Sequence, residues 1–371
     1  MAPKIMMSAA EVSADLFGSR LAEELKGCEL FGMGGEKMRR AGVDVRIDIT
    51  EKSSIGIIEA LRYIPQQLST LMSLKKMLVR EKPDALILID AQGLNMPLAG
   101  FAKSRGIKTI YYIAPQEWLW GTQKGINKVA KTIGLIISIF KNEHETFKAA
   151  GGNSFYSGHP LLDVVGSSMR KEDFCGKFGL NAREKIIALC PGSRYHEIKN
   201  FFPILFDVAA RMKGAQFVLP VSSSKFKSEI ENKISKLPIK VTIIDGHNYD
   251  VLANSDLVIA KSGTIVLECV LLNTPVIMFY KLSPATYWIA KHLLKIKLRY
   301  YSMPNILTNK IIVPEFVMRD ATAENIYNEA VRILADPSRA KAGYAEVRAL
   351  LGEKGATAKA AGKILEFIGA V

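Results

Sequence analysis

Apolar residues along this chain fall into short continuous runs, separated by longer stretches in which they recur with a helical period. Runs near KIMMSA, ELFGM, DALILID, KTIYYIA, GLIISIF and NSFYSG form one series. KIIALCPG, AQFVLPV, KVTIID, DLVIAKSG and TPVIMFY form a second. Runs of this kind, bounded by turn residues, read as strands buried on both faces. Helices are predicted between them over 14–26, 57–80, 95–105, 142–150, 199–212, 224–235, 263–272, 284–294, 322–334 and, with a break, 337–369. Such βαβ alternation implies parallel, doubly wound sheets.

The two series are separated by GSSMRKEDFCGKFGLNARE, residues 166 to 184, which is charged and lacks an apolar period. Read as an interdomain linker, it divides the chain into two Rossmann-like α/β domains, 1–165 and 166–371, whose strand ends would face a cleft. The Ala-rich helical tail is expected to cross back onto the first domain. Exchange of the tail between the subunits of a homodimer would leave the same sequence signature.

With 371 residues, 49% of them hydrophobic, a sizeable core can form. Lys and Arg number 50 against 36 Asp and Glu, a net +14 that favours an anionic partner. No zinc-finger spacing or aromatic RNP-type strand is present, so nucleic acid is not the expected partner. The scattered Cys28, Cys175, Cys190 and Cys269 form no CxxC pair and suit a reduced, cytoplasmic interior. No run is long enough to span a bilayer, so membrane contact would be peripheral. Two amphipathic stretches offer it: GIIEALRYIPQQLSTLMSLKKMLVREK, and YWIAKHLLKIKLRYY, where Trp288, Leu293 and Leu294 alternate with Lys291, Lys295 and Lys297. One apolar helix face is more commonly core.

Candidate chemistry lies at strand ends. In LCPGSRYHEI, Gly192, Ser193 and Arg194 follow a strand and precede a helix, a place where backbone N–H groups and a guanidinium can hold phosphate. An ordinary turn with a surface Arg is the bland alternative. In AKSGTIVLE, Ser262, Gly263 and Thr264 open a helix, and Glu268 lies one turn on, where a carboxylate could accept ribose hydroxyls. Simple capping by Ser262 is the alternative. Two such loops in one half point to a nucleotide diphosphate. Glu11, Ser13 and Asp15 follow the first strand without a GxGxxG, and could accept sugar hydroxyls or merely cap a helix. Asp90 ends DALILID as either a base or a cap. His159 in YSGHPLLD reads more readily as structural, and no metal-ligand spacing is present.

Taken together, EVSAD, FGMGGEKMRRAG, DAQGLN, IYYIAPQEWLW, GHPLLD, LCPGSRYHEI, SGTIVLE and YWIAKHLLKIKLRYYSMPNIL resemble the lipid-A-disaccharide synthase family of GT-B glycosyltransferases over nearly the whole chain. The resemblance implies an inverting transfer of diacylglucosamine from UDP to the 6-hydroxyl of diacylglucosamine 1-phosphate at the inner face of the cytoplasmic membrane. UDP-sugar would be a substrate, with no cofactor and no metal. By position, Gly192, Ser193, Arg194, Ser262, Gly263, Thr264 and Glu268 would hold UDP, Asn305 would lie near the nucleotide or sugar, and Glu11, Ser13 and Asp15 would face the acceptor.

One departure bears on mechanism. The family loop D-A-P-D-F-N carries the usual general base as its second Asp, and here that position is Gly93. The resemblance leaves Asp90, Glu11 or Glu117 to take the proton, with Glu117 of APQEWLW a compensating candidate. The alternatives are another UDP-N-acetylhexosamine transferase or epimerase of similar fold, or a catalytically silent UDP-sugar or lipid-binding protein.

Overall fold

The computed structural model describes residues 2–48, 57–192, 195–221, 227–234, 239–282 and 299–370. The chain forms two compact units, Met1–Asp163 with Leu351–Val371, and Val164–Leu350.

In the first unit, strands β1 (Lys4–Ala9), β2 (Glu29–Met33), β3 (Asp44–Ile47), β4 (Ala85–Ile89), β5 (Lys108–Tyr112), β6 (Leu135–Ser138) and β7 (Ser154–Tyr156) form one parallel sheet in the order β3-β2-β1-β4-β5-β6-β7. The central strand β4 reads ALILI with every residue buried, as expected where helices cover both faces of a sheet. Residues from β1, β2, β4 and β5 pack with Leu74, Leu78, Leu98 and Phe147 into one core. The chain order reverses between β1 and β4. In open α/β sheets ligands bind at such a switch, outside the carboxyl ends of the strands.

The second unit repeats the plan with β8 (Lys185–Cys190), β9 (Ala215–Val221), β10 (Val241–Asp245), β11 (Leu257–Lys261), β12 (Val276–Tyr280) and β13 (Glu315–Val317), ordered β10-β9-β8-β11-β12-β13 and all parallel. Its switch lies between β8 and β11, which pair with Cys190 beside Ala260.

Strands β3 and β13 carry no long apolar run and escape the pattern reading. Both are short edge strands, DVRI and EFV, with one side unpaired and only part of their surface buried. The stretch 166–184 is not a loose linker. It contains helix Lys171–Phe178 with Phe174 and Cys175 buried, and buried Asp250 fastens the residues before it. That carboxylate accepts from Ser167 Oγ at 2.9 Å, Ser168 N at 2.8 Å and Met169 N at 3.1 Å.

The tail belongs to the first unit and is fastened at its start by a residue of the GHPLLD turn. Asp163 accepts from Gly355 N at 2.6 Å and from Thr357 N and Oγ1 at 2.8 Å, capping helix Ala356–Ile368. At the other end Lys108 Nζ donates to Ile368 O at 2.9 Å, a cation on the orphan carbonyls of the last turn. Buried Ala360, Ala361 and Ile364 let this helix lie against helix Val12–Glu24.

Candidate active site

The turn after β4 is strained and tightly held. Asp90 has φ 52° and Ala91 φ 47°, consecutive left-handed residues that are not glycine. Each such conformation costs about 1–2 kcal/mol, so neighbours must impose it. Fully buried Asn95 does so: its Nδ2 donates to Asp90 O at 2.7 Å, Ile89 O at 3.2 Å and Ser8 O at 3.3 Å, while its Oδ1 accepts from Ser8 Oγ at 2.7 Å. Tyr111 Oη adds a bond to Asp90 O at 2.7 Å, and burial, followed by the Asp90 charge, raises that phenol well above its ordinary value. The Asp90 carboxylate accepts from Ala91 N at 2.8 Å. Neither Asn95 nor Ser8 has a sequence signature of its own, because their meaning depends on β1 and β4 being neighbours.

Helix Gln92–Lys103 starts at once, and Gly93 lies exposed on its first turn. A Cβ at Gly93 would meet nothing within 4 Å, so the position has room for a side chain. The neighbouring Gln92 donates through Nε2 to Glu117 Oε1. Glu117 begins the short helix Glu117–Trp120 after β5. Its carboxylate lies where a Cβ on Gly121 or Gly125 would be, so only glycine at both sites leaves it this space. It also sits beside the start of helix Gln123–Thr132, which Thr122 caps through Gly125 N at 3.1 Å.

Other positions of this unit divide between exposed and internal. Glu11 is the extended N-cap residue of helix Val12–Glu24 and, like Ser13, is half-buried at the β1 end. Asp15 faces inward: it accepts from Gly35 N at 2.8 Å and from Lys37 N and Met38 N at 3.1 Å. This buried carboxylate caps helix Glu36–Arg40. His159 is also internal, packed on Phe140 with ring centroids 5.1 Å apart. Its Nδ1 accepts from Leu161 N at 3.1 Å, and burial lowers its pKa to about 3.

In the second unit the two phosphate-type loops leave adjacent strands. Gly192, at φ 122°, adopts a conformation suited to glycine, and a Cβ there would also overlap the carboxylate of Glu197. Ser193 and Arg194 lie outside the described residues. From β11, Ser262 N donates to Phe279 O at 3.0 Å, and exposed Gly263 and Thr264 open helix Thr264–Leu271. Its first N–H groups have no helical acceptor and suit anion oxygens. Glu268 is half-buried on this helix, and its charge, after burial, helps raise the Cys190 thiol, which places it near the end of β8. The loops are joined by a contact with no motif to announce it. Lys261 Nζ lies 2.9 Å from Glu197 Oε1, with the two side chains 12% and 9% exposed.

The Asn305 amide is bonded within the protein. It is fully buried; its Oδ1 accepts from Ile312 N and Val313 N at 2.7 and 2.8 Å, and its Nδ2 donates to Val313 O and Glu315 Oε1 at 2.7 and 2.8 Å. These four bonds use the amide's capacity and tie helix Met303–Thr308 to the approach to β13. Among the described residues no three His, Cys, Asp or Glu side chains form a metal-ligand group.

A family model described as lipid-A-disaccharide synthetase matches residues 5–365. The lipid-A-disaccharide synthase of Geobacter metallireducens is 35% identical over 377 residues, covering 99% of this chain and 97% of that protein. Among solved structures, S. aureus MnaA with UDP superposes with a TM-score of 0.66 at 14% identity, covering 100% of this chain and 98% of that one. Acinetobacter baumannii MurG gives 0.55 at 13% identity, with full coverage of both chains. At these identities the structural likenesses speak for the fold alone, and that fold is GT-B. From the match of sequence along its length, the chain belongs to the lipid-A-disaccharide synthase family of glycosyltransferases.

Proposed function

We propose that the protein condenses UDP-2,3-diacylglucosamine with 2,3-diacylglucosamine 1-phosphate, giving the β-linked lipid A disaccharide 1-phosphate and UDP. The acceptor 6-hydroxyl loses its proton to a carboxylate as its oxygen bonds to C1 of the donor sugar. The bond from C1 to the diphosphate oxygen breaks on the opposite face, inverting that centre. Stabilising the leaving UDP falls to the loops after β8 and β11, with Arg194 as the cation assigned from sequence.

Glu117 is the proposed base, with Asp90 and Glu11 as its rivals. The observation that carries this choice is the bond from Gln92 to Glu117, which brings a carboxylate to the neighbour of Gly93, the position left without one. Asp90 is the weaker candidate because its carboxylate accepts from its own turn at Ala91 N. The test is disaccharide formation from the two acylated substrates with released UDP measured in parallel. Glu117→Gln is expected to cut turnover by orders of magnitude and spare UDP binding, and an undiminished rate would remove Glu117. Donor binding independent of acyl chains would point instead to an unacylated sugar-nucleotide reaction.

Acylated substrates imply work at a membrane surface, and peripheral attachment to the inner face of the cytoplasmic membrane fits the charge excess. Helix Ile57–Glu81 supports this reading, exposing Leu68, Met72 and Val79 beside Lys76 and Arg80. Most of YWIAKHLLKIKLRYY, residues 283–298 of the wider segment, lies outside the described residues. No helix among the described residues is long and apolar enough to cross a membrane.

A further inference from the structure

We infer that Lys261 is a diphosphate-binding cation of the second unit, held in place by Glu197; this rests on the reading that the unit binds UDP. Four residues of β11, Leu257 to Ala260, are completely buried, and Lys261 follows them where the strand reaches the switch with β8. Its ammonium is lodged between Glu197 Oε1, at 2.9 Å, and the ring of Tyr280, 5.4 Å from the centroid.

A pair this enclosed is a poor choice for stability alone. Withdrawing an ammonium and a carboxylate from water costs several kcal/mol per ion, and apolar residues of similar volume often serve as well or better. The location supplies the other half of the argument. Lys261 immediately precedes Ser262, Gly263 and Thr264, while Glu197 lies in the first turn of helix Tyr195–Arg211, directly after the PGSR loop. One ion pair thus joins the first turn of helix Tyr195–Arg211 to the end of β11, beside the helix start at Thr264 that suits phosphate oxygens.

Gly192 is shaped around the same pair, since a side chain there would evict the Glu197 carboxylate. An ammonium carries three protons in a tetrahedral fan, so it can keep Glu197 and also donate to an anion. Held at one point by a carboxylate, it loses less side-chain freedom when ligand arrives. Glu197 is therefore a positioning residue, and Lys261 the group that touches the ligand.

The test compares UDP binding by calorimetry with uridine binding by ligand-observed NMR on the full-length protein. Lys261→Met is expected to weaken UDP at least tenfold while uridine changes less than twofold, because only the phosphates are read by the cation. Glu197→Gln is expected to weaken UDP by a smaller factor with the same selectivity. Should Lys261→Met fold poorly because it strands Glu197, Lys261→Met/Glu197→Leu removes both charges and should show the same selective loss. An unchanged UDP to uridine ratio in the folded variant would overturn the assignment while leaving UDP binding by the unit intact. Failure of the unaltered protein to bind UDP would overturn the underlying reading as well.

Discussion

The side-chain amide of Gln92 donates a hydrogen bond to the carboxylate of Glu117. These residues belong to DAQGLN after β4 and APQEWLW after β5, the two loops between which we propose that one carboxylate stands in for another. Their contact is what such compensation requires. Glu117→Gln should lower the turnover number by about 10²- to 10⁴-fold, the usual contribution of a positioned base. Because a Cβ at Gly93 meets nothing within 4 Å, Gly93→Asp should fold normally and restore turnover to Glu117→Gln. A double variant as inactive as Glu117→Gln alone would break the link between the two sites.

Asn95→Ala should cost about 1–3 kcal/mol in denaturant unfolding, because it leaves the buried Ser8 hydroxyl and the carbonyls of Ile89 and Asp90 short of a partner. Turnover should fall as well, since the left-handed Asp90–Ala91 turn loses the group that imposes it. Stability equal to that of the unaltered protein would show the turn to be held by other contacts.

Asp163→Ala should cost about 1–2 kcal/mol, the range for loss of an N-cap, and raise amide exchange selectively over residues 352–370. The Asp163 bonds to Gly355 and Thr357 are what carry the tail onto the first unit at its start. Unchanged exchange in that helix would mean that Lys108 and the Ala-rich face suffice to hold it.

Two buried groups set opposing pH slopes on stability. Burial raises Glu143 to about 8, although Ile139 N and Phe140 N donate to it. The folded state therefore binds more protons than the unfolded one between the ordinary carboxyl value and about 8, and stability is lost as pH rises through that window. His159, lowered to about 3 by burial, acts oppositely: its contribution is present above the ordinary imidazole value and is lost as pH falls toward 3. Glu143→Gln keeps an acceptor for the two N–H groups and should flatten the alkaline side, moving the stability optimum upward. Melting temperatures between pH 5 and 9 check this, and an unmoved optimum would contradict it.

Gly192→Ala should destabilise by about 1–2 kcal/mol through its left-handed backbone alone. It should also weaken UDP binding, because the added Cβ overlaps the carboxylate that holds Lys261. Calorimetry on the folded variant separates the two effects. Full UDP affinity would show that the ion pair can shift without consequence.

How much of this was legible in the sequence follows from how each feature is built. The central strands announce themselves, because burial on both faces demands a continuous apolar run such as ALILI in β4. Edge strands β3 and β13 do not, since one side meets no partner and charges are tolerated there. Loops at the strand ends read as phosphate-type because glycine, serine and a helix start occur together, but that pattern does not say whether a polar residue in them faces ligand or protein. Asp15 and Asn305 look like ligand contacts in sequence, yet spend their hydrogen bonds on helix Glu36–Arg40 and on the approach to β13. Lys261 and Glu197 were missed for the converse reason: far apart in sequence, they become a pair only when β8 and β11 lie side by side.

The most direct measurement of the central claim is a stoichiometric assay of disaccharide and UDP from the two acylated substrates, run on the unaltered protein and on Glu117→Gln. The unaltered protein should release one UDP for each disaccharide formed, and Glu117→Gln should bind UDP but form disaccharide about 10²- to 10⁴-fold more slowly. Equal rates in the two proteins would contradict the account, as would UDP binding by the unaltered protein with no release from the acylated pair.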